Sequence, residues 1–185
     1  GSSFGGDLGM AKSIDTLEPL ASAIGHMTIA YNHCHSLVFL LLQDAIGGDV
    51  LKAKSTFFAL RNDGAQRDVT AALLGVALYE HPILQYSCAK ALKEIGKIAG
   101  RRNDFIHAIW HFPDDQDVAK VWLDARPNLV GRDPVQEAWS LSRDLTVMSV
   151  KLRGLQHQVH RVLFPPPPLG LLAEPPLLKL LGVQA

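Results

Sequence analysis

Arg102, Asn103 and His107 have the types and the spacing to act on a phosphodiester. A histidine titrates near neutrality, so His107 can take the proton of a ribose 2′-hydroxyl or protonate a leaving oxygen. A guanidinium keeps its charge at any ordinary pH. Arg102 can therefore stabilise the negative charge that gathers on phosphoryl oxygens. The amide of Asn103 can orient either group. RNA cleavage by such a set needs no metal and no cofactor.

These residues belong to the stretch 84–110, on which the chain is expected to be organised. Leu84, Cys88, Ala91, Ile95, Ile98, Arg102, Ile106 and Ile109 follow in steps of three and four, the apolar stripe of a core-facing helix. One member of that stripe is an arginine, which on an apolar face needs a partner or a job. At about 100° per residue, Arg102 falls mid-stripe, Asn103 at its edge and His107 about 140° from Arg102. The two can meet through the length of the arginine, or across a twofold axis that brings in a second copy. The competing role for Arg102 is structural: pairing a buried carboxylate or capping carbonyls at a helix junction.

Arg102-Asn103-x-x-x-His107 resembles the Arg-(Asn/Asp/His)-x(3–5)-His motif of the HEPN superfamily, the higher eukaryotes and prokaryotes nucleotide-binding domains. The motif stands near the end of a long predicted helix, as it does in that family. The resemblance implies an α-helical bundle that forms a homodimer and so brings two motifs together. It implies metal-independent endoribonuclease activity leaving a 2′,3′-cyclic phosphate, with Arg102 and His107 catalytic and Asn103 supporting. Some members follow the histidine with x-Tyr, a nucleotidylation target. Ile109 stands there in this chain, so that form of control is not expected. Other members are non-catalytic modules that bind RNA, a nucleotide or a protein.

Lys90, Lys97 and Arg101 lie on one line of the same helix, with Lys93 beside them, and are candidates to track a phosphate backbone. Glu94 interrupts the line, as on an ordinary solvated helix face. Arg61 and Arg67 are candidates to extend the rim. His107 and His111 stand four apart, and His33 and His35 flank Cys34. A zinc site needs three or four ligands, and no Cys-x-x-Cys or His-Glu-x-x-His pattern is present, so no metal is expected. No glycine-rich phosphate loop and no Gly-x-Ser-x-Gly elbow is present either.

The other elements must position this helix. Ser13 is a candidate cap for a helix over 14–45 that stops at Gly47-Gly48. Its segment 37–42 is apolar all round, as in a bundle centre or against a second subunit. Asp49 caps a short helix to residue 60. Residues 61–64 read as a turn, and a third helix spans 65–80. Pro82 suits the first turn of the central helix, expected over 83–111 and ended by Pro113. Within 113–133, segments 118–123 and 128–130 suggest a small hairpin or an ordered loop. Asp133-Pro134 opens a last helix to about 164.

The expected fold is therefore all-α, an antiparallel bundle of four main helices plus a short one. The expected domain plan is a disordered or tag-derived segment 1–12, the HEPN-like bundle 13–164, and a proline- and leucine-rich tail 165–185. Pro165 to Pro168 are extended in this plan, and 169–181 lies on this subunit or another.

With 185 residues, 48% of them apolar and 19% charged, the composition is globular, and eighteen basic residues balance eighteen acidic ones. Any polyanion site must then be local. Cys34 and Cys88 read as free thiols of a reducing, cytoplasmic compartment. The longest apolar run is too short to span a bilayer, so no membrane partner is expected. Three functions follow: a HEPN-like ribonuclease acting on RNA in a toxin, defence or processing setting, with a protein inhibitor or antitoxin as a candidate partner; a non-enzymatic HEPN-like binding module; and a plain oligomerisation bundle.

Overall fold

Five helices carry the chain in alternating directions. The structure, a computed structural model, describes residues 7–107, 109–111, 122–124 and 132–166. In order these are α1 (Asp7–Ala45), α2 (Val50–Ala59), α3 (Asp63–Ala77), α4 (Pro82–Ile106), the three-residue strands β1 (Ile109–His111) and β2 (Trp122–Asp124), and α5 (Pro134–Leu163). The class is all-α. No helix among the described residues is long and apolar enough to cross a membrane.

Local chemistry explains most boundaries. Asp49 accepts hydrogen bonds from the amides of Leu51 and Lys52 and starts α2, and Asp133 does the same for Val135 and Gln136 at α5. Gly47 and Gly48 both take positive φ, which lets the chain leave α1 and turn back at once. Asn62 caps α3 through the amide of Ala65, so Asp63 and Gly64, expected in a turn, form its first turn instead.

Two boundaries depart further from expectation. α1 begins at Asp7, ahead of Ser13, and Pro19 lies inside it. Helix-favouring residues there continue the helix, and Ser13 is an interior residue. α4 ends at Ile106, five residues before His111, with His107 as its C-cap. Residues 109–111 instead pair antiparallel with 122–124: Ile109 faces Asp124, Trp110 faces Leu123 and His111 faces Trp122. Strand-favouring Ile and Trp here override a helical spacing that Ile109 only continued by chance. A two-stranded ribbon thus lies between the last two long helices, but the partner of 122–124 is 109–111. Segments 118–121 and 128–130, like the tail from 167, lie outside the described residues.

The hub of the bundle is α1, which packs on α5, α3 and α2 and meets α4 more sparsely. That corrects the expectation that the chain is organised on α4. The apolar segment 37–42 is the reason: Leu37, Val38, Leu41 and Leu42 are buried on several sides, while Leu40 remains exposed. Contacts along α1 and α5 ascend together, from His26 with Trp139 through Cys34 with Leu145 to Asp44 with His160. The two helices therefore run parallel, because α2 supplies a short return stroke between α1 and α3. Contacts between α4 and α5 run oppositely, Glu94 with Lys151 and Arg101 with Asp144.

Candidate functional site at the end of the fourth helix

The buried stripe of α4 is Cys88, Ala91, Leu92, Ile95, Ala99 and Phe105. Arg102 continues it and is half-buried, because helical side chains lean back towards the N-terminus and onto the preceding turn. Its guanidinium lies over the ring of Tyr31 from α1, with Cζ 4.7 Å from the ring centroid. This is a cation–π contact with a buried ring. Nη1 donates to Oδ1 of Asn103 at 3.0 Å. Nε is buried and has no hydrogen-bond partner.

Tyr31 is held in turn. Its hydroxyl donates to the carboxylate of Asp63, in the first turn of α3. Burial pushes its phenol well above the usual range, and the Asp63 carboxylate adds to this, while Arg67 and Arg102 pull the other way. His35, one turn after Tyr31 on α1, places Nε2 2.6 Å from Oε1 of Gln66 and 3.7 Å from Oδ1 of Asp63. Gln66 then donates to the carbonyls of Phe57 and Leu60, which closes the end of α2. A chain of polar contacts thus ties α4, α1, α3 and α2 together at Arg102.

His107 is exposed, and its backbone amide bonds the Asn103 carbonyl at 3.0 Å. Among the described residues no hydrogen bond or ion pair joins its ring to Arg102 or Asn103. So one copy of the chain brings Arg102 and Asn103 together but leaves His107 apart at the mouth of the site. Asp104 and Phe105, between them, both take part in further contacts.

The expected basic line is differently employed. Arg101 donates to Asp144 and to Glu137, each at 2.9 Å, so its charge is matched inside the fold. Burial works to raise the Glu137 carboxyl, but Arg101 and Arg132 outweigh it and hold it below the ordinary range. Lys90, Lys93 and Lys97 are exposed. Glu94 is ion-paired to Lys151, which holds it below the ordinary carboxylate range, and Lys90 and Lys97 add to that effect. Lys90 and Lys97 thus surround a carboxylate, the pattern of a solvated helix face.

His33 and His35 do not converge. His33 accepts from Arg153 on α5 at 2.9 Å, whereas His35 faces α3. His111 belongs to β1, so it no longer stands one helical turn from His107. Among the described residues no group of three or more His, Cys, Asp and Glu is placed to hold a metal ion. Cys34 and Cys88 are free and buried, and burial pushes both thiols up to about 11. Cys34 donates to the carbonyl of Leu145, which packs it as a core residue between α1 and α5.

No family model, no curated protein and no solved structure matches this chain. Its site is therefore read from its own geometry. Spacing on α4 missed the second half of that site, Tyr31, His35, Asp63 and Gln66, whereas Arg67 was already a candidate for the basic rim. A signal was present: Tyr31 and His35 stand one turn apart on the otherwise apolar face of α1, and Gln66 and Thr70 do the same on α3. Polar groups in register on two buried faces mark where helices meet through a hydrogen-bond network.

Proposed function

We propose that this chain is a HEPN-like helical module that acts on RNA at the C-terminal end of α4, with Arg102 and His107 as the reacting pair. The observation that carries it is Arg102 itself, a half-buried guanidinium set on Tyr31 with no carboxylate in ion-pair contact among the described residues, on a helix that ends at the exposed His107. A cation held in that way favours an external anion, and a phosphodiester is the anion that an arginine and a histidine can cleave.

Arg102 binds and neutralises the phosphoryl oxygens, and Asn103 fixes the plane of its guanidinium. His107 moves the proton of the attacking 2′-hydroxyl or of the leaving 5′-oxygen. Attack by the 2′-oxygen on phosphorus forms the cyclic phosphate as the bond to the 5′-oxygen breaks. Because His107 stands apart from Arg102 in one copy, the pair is completed across a twofold by a second copy. A reducing, cytoplasmic setting suits the two free thiols.

The test is RNA cleavage by the purified chain in EDTA. Wild type cleaves, and Arg102→Ala and His107→Ala each abolish cleavage while unfolding at temperatures close to the wild type. Cleavage that survives both substitutions would overturn the assignment. The separation of His107 from Arg102 favours a second function, RNA or nucleotide binding without cleavage. Retention of a labelled RNA by the dimer with no product over hours would select it.

A further inference from the structure

Among the described residues, Arg102 is not the only guanidinium in this corner without a counter-ion. Arg67, on α3, lies one turn after Asp63 and is half-buried. Its guanidinium rests on the bare backbone of Gly96 in α4: Nε and Nη2 would stand 3.5 and 3.8 Å from a Cβ placed there. Among the described residues no carboxylate lies within ion-pair distance of Arg67 or Arg102, whereas Arg101 and Arg132 are both ion-paired. Asp63, one turn before Arg67, is taken up by Tyr31 and lies close to His35, and Asp68, next to Arg67 in the chain, is exposed.

Both cations act on the Tyr31 hydroxyl, one from α3 and one from α4. Withdrawing a guanidinium from water without a partner is costly, and two such groups at one seam make an anion the natural complement. We propose that Arg67 and Arg102 form a clamp for a phosphodiester at the seam of α3 and α4, with Tyr31 as the platform that fixes the Arg102 arm. Arg67 is then a substrate-binding residue supplied by a different helix from the reacting pair. The identity of the ligand as RNA rests on the function proposed above; the clamp as an anion site does not.

Two probes keep the two ideas separate. The first is an oligoribonucleotide blocked by 2′-O-methyl groups, followed by fluorescence anisotropy. The second is inorganic pyrophosphate, followed through the Nε–H resonances of the arginines. Arg67→Gln is expected to weaken oligonucleotide binding roughly tenfold or more, and to reduce the slope of log Kd against log salt by about 0.7. Gly96→Asp, whose Cβ would meet Arg67 at ordinary contact distance and whose carboxylate would supply the missing counter-ion, is expected to weaken binding similarly in a protein that stays folded. Lys54→Gln on the exposed face of α2 is the control and changes neither quantity.

Equal binding by wild type and both variants at the seam would overturn the clamp and leave RNA recognition to Arg102 alone. If wild type ignores the oligonucleotide while pyrophosphate shifts both arginine resonances, the RNA function fails and the clamp stands. If the oligonucleotide does not bind and pyrophosphate moves neither resonance, the clamp is wrong.

Discussion

The Arg102 guanidinium and the Tyr31 ring, 4.7 Å apart from Cζ to centroid, form a contact by which α4 meets α1, the hub of the bundle. Tyr31 passes that contact on to Asp63, so three helices are registered by one aromatic side chain. An arginine on an apolar stripe is thus accommodated by a ring face, which accepts the charge without neutralising it. A carboxylate in the same place would have made an ion pair and ended the matter. The difference decides whether Arg102 is still available to an anion.

Because burial and Asp63 raise the Tyr31 phenol, the folded state keeps that proton where the unfolded chain loses it. The stability due to Tyr31 is then complete below about pH 10, the unfolded value, and is lost progressively as pH rises above it. Urea unfolding from pH 8 to 11 should show a decline in wild type that is shallower in Tyr31→Phe. At neutral pH the same variant should lose about 1 kcal/mol with its hydrogen bond to Asp63. Parallel pH profiles for the two proteins would refute the linkage.

Arg101 separates structural charge from functional charge. Its side chain is 43% exposed and bridges Glu137, which is 12% exposed, and Asp144. Arg101→Ala should cost no more than about 1 kcal/mol, a cost that shrinks with added salt as exposed pairs are screened. RNA binding, if it depends on Arg67 and Arg102, should be unaltered. A loss of binding as large as that of Arg102→Ala, with unfolding unchanged, would return Arg101 to the site.

Much of this was legible in the residues. Asp49 and Asp133 announce two helices because a short acceptor side chain before an apolar period has little else to do. The three-and-four spacing of Cys88, Ala91 and Ile95 places Arg102 on the inner face of α4 without any structure. What spacing along one helix does not contain is the identity of the facing helix. Tyr31 and Asp63 are 71 and 39 residues before Arg102 in the chain, and only packing reveals that they share a corner with it. The end of α4 was misplaced for a related reason. Ile109 satisfies the helical period, yet its backbone pairs with Asp124, a non-local choice that a local period does not register.

Gly154 offers a stability test independent of function. It lies inside α5 on an exposed face, and a Cβ there would meet nothing within 4 Å. Alanine should remove the backbone freedom of the unfolded glycine and stabilise the fold by about 0.5–1 kcal/mol. Thermal unfolding of Gly154→Ala against wild type reads this directly. An unchanged or lowered midpoint would mean that this face of α5 is already covered, as by a second copy of the chain.

The separation of His107 from Arg102 makes a sharper prediction about assembly. If the reacting pair is formed between two copies, a dimer of Arg102→Ala with His107→Ala has one site lacking both groups and one site intact. Free exchange of subunits makes about half of the dimers mixed, each with one of two sites working, so the mixture should recover about a quarter of wild-type cleavage. Each variant alone recovers nothing, since every site in it lacks one group. A pair formed within one copy gives the opposite result: both sites of the mixed dimer are then defective and mixing restores no activity. The experiment needs only the two inactive proteins, a step of dissociation and reassociation, and an RNA assay in EDTA. An inactive mixture in which mixed dimers are demonstrated would refute the shared site and place any reacting pair of Arg102 and His107 within one copy.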